Sequence, residues 1–259
     1  MRRFASVVAL LFLVASLGLT QDGAPKDSTS TPSTWSGSWN AEVKNHYFGP
    51  VVGAVFADEP VVWNVLTLNR RLDAKTTISA TLWNSEGFER ASFGTFANET
   101  DLVLGLSRSV GKFAVSATGS IFLLNPNAGF DALVLQTRVS RTFARGRSAV
   151  TPYLETQWYG VTKNVDGLHG GLYPFVGANY ARKLNGQLSL LAHYHEHRDL
   201  SGAFNKRKNA NLFYAETGLR IAVTESFSVT APRIGYGGSW DDPGRPRKTT
   251  ISIGIAKTF

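Results

Sequence analysis

Between Trp35 and the C-terminal Phe259, apolar and polar residues alternate along segments of about ten residues. In one such segment Leu102, Leu104 and Leu106 share one parity, and polar or small residues occupy the other. Successive side chains of a β-strand point to opposite faces, so this pattern predicts strands with one apolar and one polar face. We expect twelve strands, at 36–48, 61–72, 76–84, 98–109, 113–124, 132–143, 150–160, 171–183, 187–198, 212–223, 227–237 and 249–259.

The connections between these strands alternate in length. The tight ones are 73–75, 110–112, 144–149, 184–186 and 224–226, and the looser ones are 49–60, 85–97, 125–131, 161–170, 199–211 and 238–248. Outer-membrane barrels place short turns at the periplasmic side and long loops outside, whereas a soluble two-sheet sandwich has no reason to keep this rhythm. The sequence therefore predicts an all-β fold, a single closed antiparallel transmembrane β-barrel of about twelve strands with both termini periplasmic.

The last eleven residues, 249–259, read TTISIGIAKTF. A terminal Phe259 after alternating apolar residues, with Gly254 and Ile255, resembles the C-terminal strand signal of Gram-negative outer-membrane β-barrel proteins. Lys257 departs from the hydrophobic residue usual at that position. The resemblance implies that this strand is handed to the barrel-assembly machinery and that the protein resides in the outer membrane.

The N-terminus predicts secretion. The pair Arg2-Arg3 precedes the apolar run 7–19, which is too short to span a membrane as a helix and is typical of a signal peptide. An anchored N-terminal helix is the alternative. The chain contains no cysteine, which excludes disulfides and a lipoprotein anchor. The expected organisation is a signal peptide at 1–20, a disordered periplasmic tail at 21–34 and the barrel at 35–259.

Aromatic residues gather near the predicted strand ends. Those by the short turns are Phe113, Phe143, Phe227 and Phe259, and those by the long loops are Trp63, Trp83, Trp158, Tyr159 and Trp240. Two interfacial girdles at the surfaces of a bilayer would have this distribution. Ordinary cross-strand aromatic pairs of a soluble sheet are the alternative interpretation.

Parity predicts a charged lumen. The candidate lumen-lining residues are Glu42, Lys44, Asp101, Arg138, Glu155, His193, His195, His197, Glu216 and Arg220, together with His46 and Gln157. Acids and bases are both present, so one interpretation is a charge-paired network that braces the lumen. The other is a narrow charged passage in which Lys44, Arg138 and Arg220 attract anionic solutes.

Three histidines alternate along the ninth strand. His193, His195 and His197 share one face at about 6.5 to 7 Å spacing, which is long for one metal ion without a partner strand. Glu155 or Glu216 across the lumen could complete such a site. The row therefore predicts either plain lumen lining, or metal-dependent or proton-dependent gating. We expect no bound cofactor or metal.

Neither catalysis nor nucleic-acid binding is predicted. Ser189 and Ser201 do not stand at the spacing from a histidine that lipid-hydrolysing barrels use, so an enzyme is not expected. The net charge of +8 includes basic clusters at 206–208 and at 245–248, both in expected external loops. These loops predict contact with the phosphates of lipopolysaccharide rather than with nucleic acid, for which no binding fold is present.

As a whole, the chain resembles small monomeric outer-membrane barrels of the porin-like class. The local likeness is to TorF-like porins, in the stretch from Glu99 to Gly105 followed by the Gly111 turn. This resemblance implies passive passage of a small solute. The basic lumen residues extend the expectation to anionic solutes, and the lack of an obvious extra apolar patch predicts a monomer. The alternatives are a plugged structural or adhesion barrel that acts through its basic loops and, further off, a barrel hydrolase. A plug would form if Phe48, Phe56, Phe88 and Phe93 folded inward.

Overall fold

The computed structural model describes the chain in seven ranges: 35–49, 54–88, 98–124, 131–163, 170–200, 209–242 and 247–259. Regular structure within these ranges is entirely β-strand. In this part of the chain no helix has the length and apolar character needed to cross a membrane. The predicted signal peptide and tail lie outside the described residues and stay predictions.

The described residues form fifteen strands. They are β1 (Trp35–Lys44), β2 (Tyr47–Gly49), β3 (Ala54–Ala57), β4 (Val61–Arg71), β5 (Thr76–Gly87), β6 (Glu99–Val110), β7 (Phe113–Leu124), β8 (Asp131–Ser140), β9 (Phe143–Arg145), β10 (Ser148–Lys163), β11 (Gly171–Lys183), β12 (Leu188–Asp199), β13 (Ala210–Ala222), β14 (Phe227–Ser239) and β15 (Lys248–Thr258).

One antiparallel sheet contains every strand except β2 and β3, and it closes on itself. Each strand pairs with its neighbour along the chain, and β1 pairs with β15. The short β9 continues β8 beyond Arg141 and Thr142 along the same edge of β10, so the barrel has twelve strand positions. The predicted closed antiparallel barrel is confirmed, and the predicted strands match the observed ones within a few residues at most positions.

The first predicted strand, 36–48, is wrong at its end. In the structure β1 stops at Lys44, because Asn45 donates its N–H to the Ile251 carbonyl (3.0 Å) and accepts the Ile251 N–H on its side-chain oxygen (2.9 Å). The Asn45 side chain thus takes the place of a backbone carbonyl, and the backbone leaves the ladder. The following residues form a separate hairpin, in which β2 takes up the end of the predicted strand and β3 lies within the predicted loop 49–60.

The barrel is apolar outside and polar inside. Along β15, Ile251 and Ile253 are 50% and 57% exposed, whereas the intervening Ser252 and its neighbour Thr250 are each 5% exposed. The leucines of β6 likewise point outward, with Leu102 among the exposed large apolar side chains. This distribution is the reverse of a water-soluble protein and matches a barrel whose outer surface faces hydrocarbon.

The five short turns lie at one end of the barrel and use two chemistries. In three of them one turn side chain accepts the backbone N–H groups of the residues two and three positions later. Asp73 accepts from Lys75 and Thr76 at 2.6 and 2.7 Å. Asn185 accepts from Gln187 and Leu188 at 2.9 and 2.7 Å, and Thr224 from Ser226 and Phe227 at 3.3 and 3.0 Å. In the other two, Gly111 and Gly146 take positive φ values of 60° and 58°. Both chemistries are typical of tight β-turns.

The C-terminal Phe259 lies at the same end, against the start of β1. It exchanges two backbone hydrogen bonds with Gly37, at 2.7 and 3.0 Å. A Cβ atom on residue 37 would lie 2.4 Å from Cε2 of the Phe259 ring. The absence of a side chain on Gly37 therefore lets the Phe259 ring lie over the seam between β1 and β15.

We predict that Asp73→Ala destabilises the barrel in a pH-dependent way. The backbone N–H groups of Lys75 and Thr76 hold the pKa of the Asp73 carboxyl below its ordinary value of 3.8. The carboxylate therefore stabilises the fold above that value, and its contribution is lost as the pH falls through the lowered pKa. Urea unfolding in liposomes should show a loss of roughly 0.5 to 1 kcal/mol at pH 7 and a smaller loss near pH 2, where the neutral carboxyl accepts the same N–H groups more weakly.

Asn185→Ala is the matched control, because Asn185 makes the same two hydrogen bonds without a titrating group. Its destabilisation should be the same at both pH values. A pH-independent loss for Asp73→Ala would contradict the prediction.

Candidate functional site

The barrel interior is the candidate site, and its short-turn half holds a cavity of about 260 Å³. We call this cavity the vestibule. Inward side chains of β10 to β14 form its wall: Ala149, Thr151, Asn179, Ala181, Leu191, His193, Glu216, Gly218 and Arg233. The wall therefore carries ionisable, polar and apolar groups together.

An ion-pair network borders the vestibule on β1, β13 and β14. Arg233 lies 3.5 Å from both Glu42 and Glu216, and Lys44 lies 3.6 Å from Glu42. Tyr214 donates its hydroxyl to Glu216 at 2.9 Å, and Ser252 donates to Glu42. The predicted charge-paired bracing therefore exists among the described residues on this side of the lumen.

A second network lies on β8 and β10. Arg138 bonds Glu155 at 2.5 Å, and Gln157 donates to the same carboxylate at 2.5 Å. Tyr159 donates to Gln157 at 2.9 Å, and the Arg138 guanidinium lies 4.1 Å from the centroid of the Tyr153 ring. The Glu155 carboxylate is thus held by two neighbours while the guanidinium covers an aromatic face.

The two members of these pairs differ in exposure. Side-chain exposure is 34% for Arg138 against 2% for Glu155, and 30% for Arg233 against 16% for Glu42 and 18% for Glu216. The carboxylates lie close to the wall, and the guanidinium groups face the open lumen. Lys44 is the exception, since it is 6% exposed and its Nζ lies 3.6 Å from the centroid of the Trp63 ring.

At the opposite end, the hairpin formed by β2 and β3 lies inside the barrel. We call it the inner hairpin. Tyr47 donates its hydroxyl to Glu99 of β6 at 2.6 Å, and its ring contacts Trp63 and Trp83 with centroids 5.3 and 6.0 Å apart. Phe48 stacks on Tyr214 of β13, with centroids 6.1 Å apart. Because β6 and β13 are half a circumference apart in the strand order, consecutive residues of the hairpin contact opposite walls.

Two glycines of β14 make room for this arrangement. A Cβ atom on Gly237 would lie 2.5 Å from the Phe48 ring, and a Cβ atom on Gly235 would lie 2.3 Å from the Tyr214 hydroxyl. Phe48 is 3% exposed. The inward fold of Phe48 that was considered from the sequence is therefore present. Phe88 is exposed instead. The Phe56 side chain and Phe93 lie outside the described residues.

The predicted aromatic girdle at the loop end is wrong for three residues. Trp63 and Trp83 face inward and contact Tyr47, and Tyr159 is buried against Tyr173, with ring centroids 5.3 Å apart. Trp158 and Trp240 do lie exposed on the outer surface. The inward rings instead line the loop-end half of the lumen.

The three histidines form a contacting row. Nε2 of His193 lies 2.9 Å from Nδ1 of His195, and Nδ1 of His193 lies 2.8 Å from the Asn179 side-chain oxygen. His197 stacks on Phe175 with centroids 4.4 Å apart. Within the described ranges no three His, Asp or Glu side chains converge as a metal site requires. Both ring nitrogens of His193 have other partners, and Ser189 forms a hydrogen bond with neither.

Other predicted residues take different positions. Asp101 is buried on β6 opposite Trp83, whereas Arg220 is exposed near the short turns and away from both ion-pair networks. Sequence reasoning missed Arg233, Glu99 and Tyr47. Arg233 faces inward because the β14 register shifts between Thr230 and Arg233; the intervening Pro232, typical of a bulge, was the available signal.

The basic loop clusters are described only in part. Arg247 lies 5.6 Å from the centroid of the Trp240 ring, and Lys248 lies 3.5 Å from Asp58. Residues 206–208 and Arg245 lie outside the described residues. Contact with lipopolysaccharide, recognition by the assembly machinery and a monomeric state stay predictions.

The chain is similar to several solved structures, of which the first two named here share its architecture. The NanC porin has a TM-score of 0.55 at 6% identity, over 85% of this chain and 98% of that chain. An outer-membrane channel from Pseudomonas putida F1 has a TM-score of 0.51 at 11% identity, over 92% of this chain and 100% of that chain. The translocator domain of the autotransporter NalP from Neisseria meningitidis scores 0.49 at 14% identity, over 99% and 96%.

The fold is that of an outer-membrane β-barrel. The predicted porin-like barrel fold is confirmed, and with it the outer membrane of a Gram-negative bacterium as the place where such barrels reside. No protein-family model and no curated protein matches the chain. At these identities the shared architecture establishes the fold, and the function has to be argued from the lumen.

We predict that a cysteine at position 48 is protected from water-soluble reagents. The chain has no native cysteine, so single-cysteine variants are unambiguous. Phe48→Cys in folded protein should react with a membrane-impermeant maleimide at least about tenfold more slowly than Phe88→Cys, because residue 48 is 3% exposed and residue 88 is 61% exposed. Equal rates would mean that the inner hairpin does not occupy the lumen.

Proposed function

We propose that the barrel is a narrow channel for small anionic solutes, with the inner hairpin as its constriction. The observation that carries the proposal is the orientation of the ion pairs. Arg138 and Arg233 present their guanidinium groups to the lumen, whereas their carboxylate partners lie against the wall. An ion in the lumen therefore meets positive charge first.

The path narrows from the short-turn end to the loop end. The vestibule is open, the two ion-pair networks follow, and inward aromatic rings and the inner hairpin occupy the far half. A path of this kind supports passage of small solutes rather than of polymers. Following the topology of outer-membrane barrels, the vestibule would face the periplasm and the hairpin the exterior.

A plugged barrel is the second candidate, because Tyr47 and Phe48 reach opposite walls. In that case the basic loops would carry a structural or adhesive role. The two candidates differ in one measurable property, the conductance of the folded barrel with an intact hairpin.

We predict that refolded protein gives small, discrete conductance steps in planar bilayers. The double variant Tyr47→Ala/Phe48→Ala should raise the step size about twofold or more, since two aromatic side chains leave the narrowest section. Phe88→Ala is the control, because Phe88 is exposed and does not take part in the contacts of Tyr47 and Phe48 inside the barrel. A silent native protein with a conducting double variant would establish the plugged barrel. Silence in both would overturn the channel.

We also predict anion selectivity that depends on Arg138. In a salt gradient, Arg138→Gln should lower the anion-to-cation permeability ratio by a factor of about two to three, as expected for losing roughly 0.5 kcal/mol of screened attraction. Arg141→Gln removes the same charge from a residue that lies over Phe113 and Phe143 at the short-turn end, with centroid distances of 5.9 and 4.5 Å. That control should leave the ratio unchanged; an equal shift would show that Arg138 acts only through net charge.

A further inference from the structure

The vestibule wall is built from two parallel rows of inward residues. In one row Ala149, Ala181, Leu191 and Gly218 are direct cross-strand partners in succession, and Arg233 follows Gly218. In the next row, towards the loop end, the successive partners are Thr151, Asn179, His193, Glu216 and Gly235. The first row is therefore an apolar band that ends at a guanidinium group, and we call it the apolar band.

The guanidinium at the end of the band retains donor capacity. Its contacts with Glu42 and Glu216 are ion pairs at 3.5 Å, through Nη1 and Nε, and neither uses Nη2. Within the described residues Arg233 donates no hydrogen bond. A carboxylate oxygen is the strongest acceptor for the single charged N–H₂ group that remains, so a carboxylate suits this position best.

The surrounding charges restrict the ligand further. The charges of Glu42 and Glu216 are matched by those of Arg233 and Lys44, so a ligand with a second negative charge would find no further cation to hold it. A cationic ligand would meet Arg233 itself, with Lys44 also nearby on Glu42. The apolar band extends in one direction from the guanidinium and offers no further charge. A ligand with one carboxylate and one short apolar body fits this arrangement.

We propose that the vestibule binds a small aliphatic monocarboxylate, with its carboxylate on Arg233 and its apolar body along Ala149, Ala181 and Leu191. The proposal rests on the proposed function, because it names the solute class for the first section of the path. The cavity volume of about 260 Å³ accommodates a molecule of this size. Recognition uses one charge-assisted contact and burial of aliphatic carbon.

The test is calorimetric binding to the full-length barrel refolded in detergent, with three probes. The first, 4-methylpentanoate, has a carboxylate and a branched alkyl chain. Acetate has the carboxylate with only a methyl group, and 3-methylbutylamine has an ammonium group on the same branched alkyl chain. We expect 4-methylpentanoate to bind at least about tenfold more tightly than acetate, because each buried methylene is worth roughly fourfold. The amine should not bind. Equal affinities for the two acids, or binding of the amine, would overturn the proposal.

Two variants locate the site. Arg233→Gln should weaken the binding of 4-methylpentanoate about tenfold or more, because a charge-assisted contact is lost. Leu191→Ser leaves the ion pairs intact and should reduce the preference for 4-methylpentanoate over acetate by a few-fold. Arg198→Gln, on an exposed residue of the outer face of β12, is the control and should bind like the native protein. Heat-modifiable gel migration verifies that each variant is folded.

Binding and conductance separate the two proposals. A barrel that conducts anions and does not bind 4-methylpentanoate overturns only the monocarboxylate site. A barrel that binds the acid and passes no current keeps the site and overturns the channel. Native-like binding by both Arg233→Gln and Leu191→Ser would place any binding outside the vestibule and contradict the assignment.

Discussion

Backbone pairing around a closed circumference is the constraint on which this structure depends. In hydrocarbon each unpaired N–H or C=O group costs several kcal/mol, so a sheet in a membrane cannot keep an edge. Here the first and last barrel strands pair from Ser38 with Thr258 to Lys44 with Ser252, and Phe259 continues the seam to Gly37. Once the ladder closes, strand parity sends one set of side chains to lipid and the other to the lumen.

Closure explains why ionised groups are concentrated inside. A charge on the lipid face is costly near the middle of the bilayer, so the acids and bases at that depth have to share the lumen. Buried charges need partners, and Glu155 and Glu42 are each held by at least two neighbouring groups. The longer arginine side chains reach past their partners to water, because a guanidinium can keep one edge paired and another free. A lumen in which acids and bases are paired can therefore still present positive charge to a solute.

The barrel was predictable because its signals are local. Period-two alternation and turn chemistry at Asp73, Asn185 and Gly111 fix strands, faces and hairpin order without knowledge of distant contacts. The inner hairpin was not predictable in the same way. Its direction depends on the contact of Tyr47 with Glu99, 52 residues away, and on space left by Gly235 and Gly237. Strand parity places Trp63 and Trp83 on the lumen side, where Tyr47 packs against them, although a girdle had been expected.

Tyr214 physically connects the constriction with the ion pairs. Its ring stacks on Phe48, its hydroxyl donates to Glu216, and Glu216 in turn contacts Arg233. His195 lies beside the same ring, with centroids 5.9 Å apart. Movement of the inner hairpin would therefore change the packing of Tyr214 and, through its hydroxyl, the position of the carboxylate that holds Arg233. Contiguous contacts of this kind can couple two sites when the element between them has two arrangements. In this barrel Tyr214 lies between the constriction and Glu216 of the vestibule wall and contacts both.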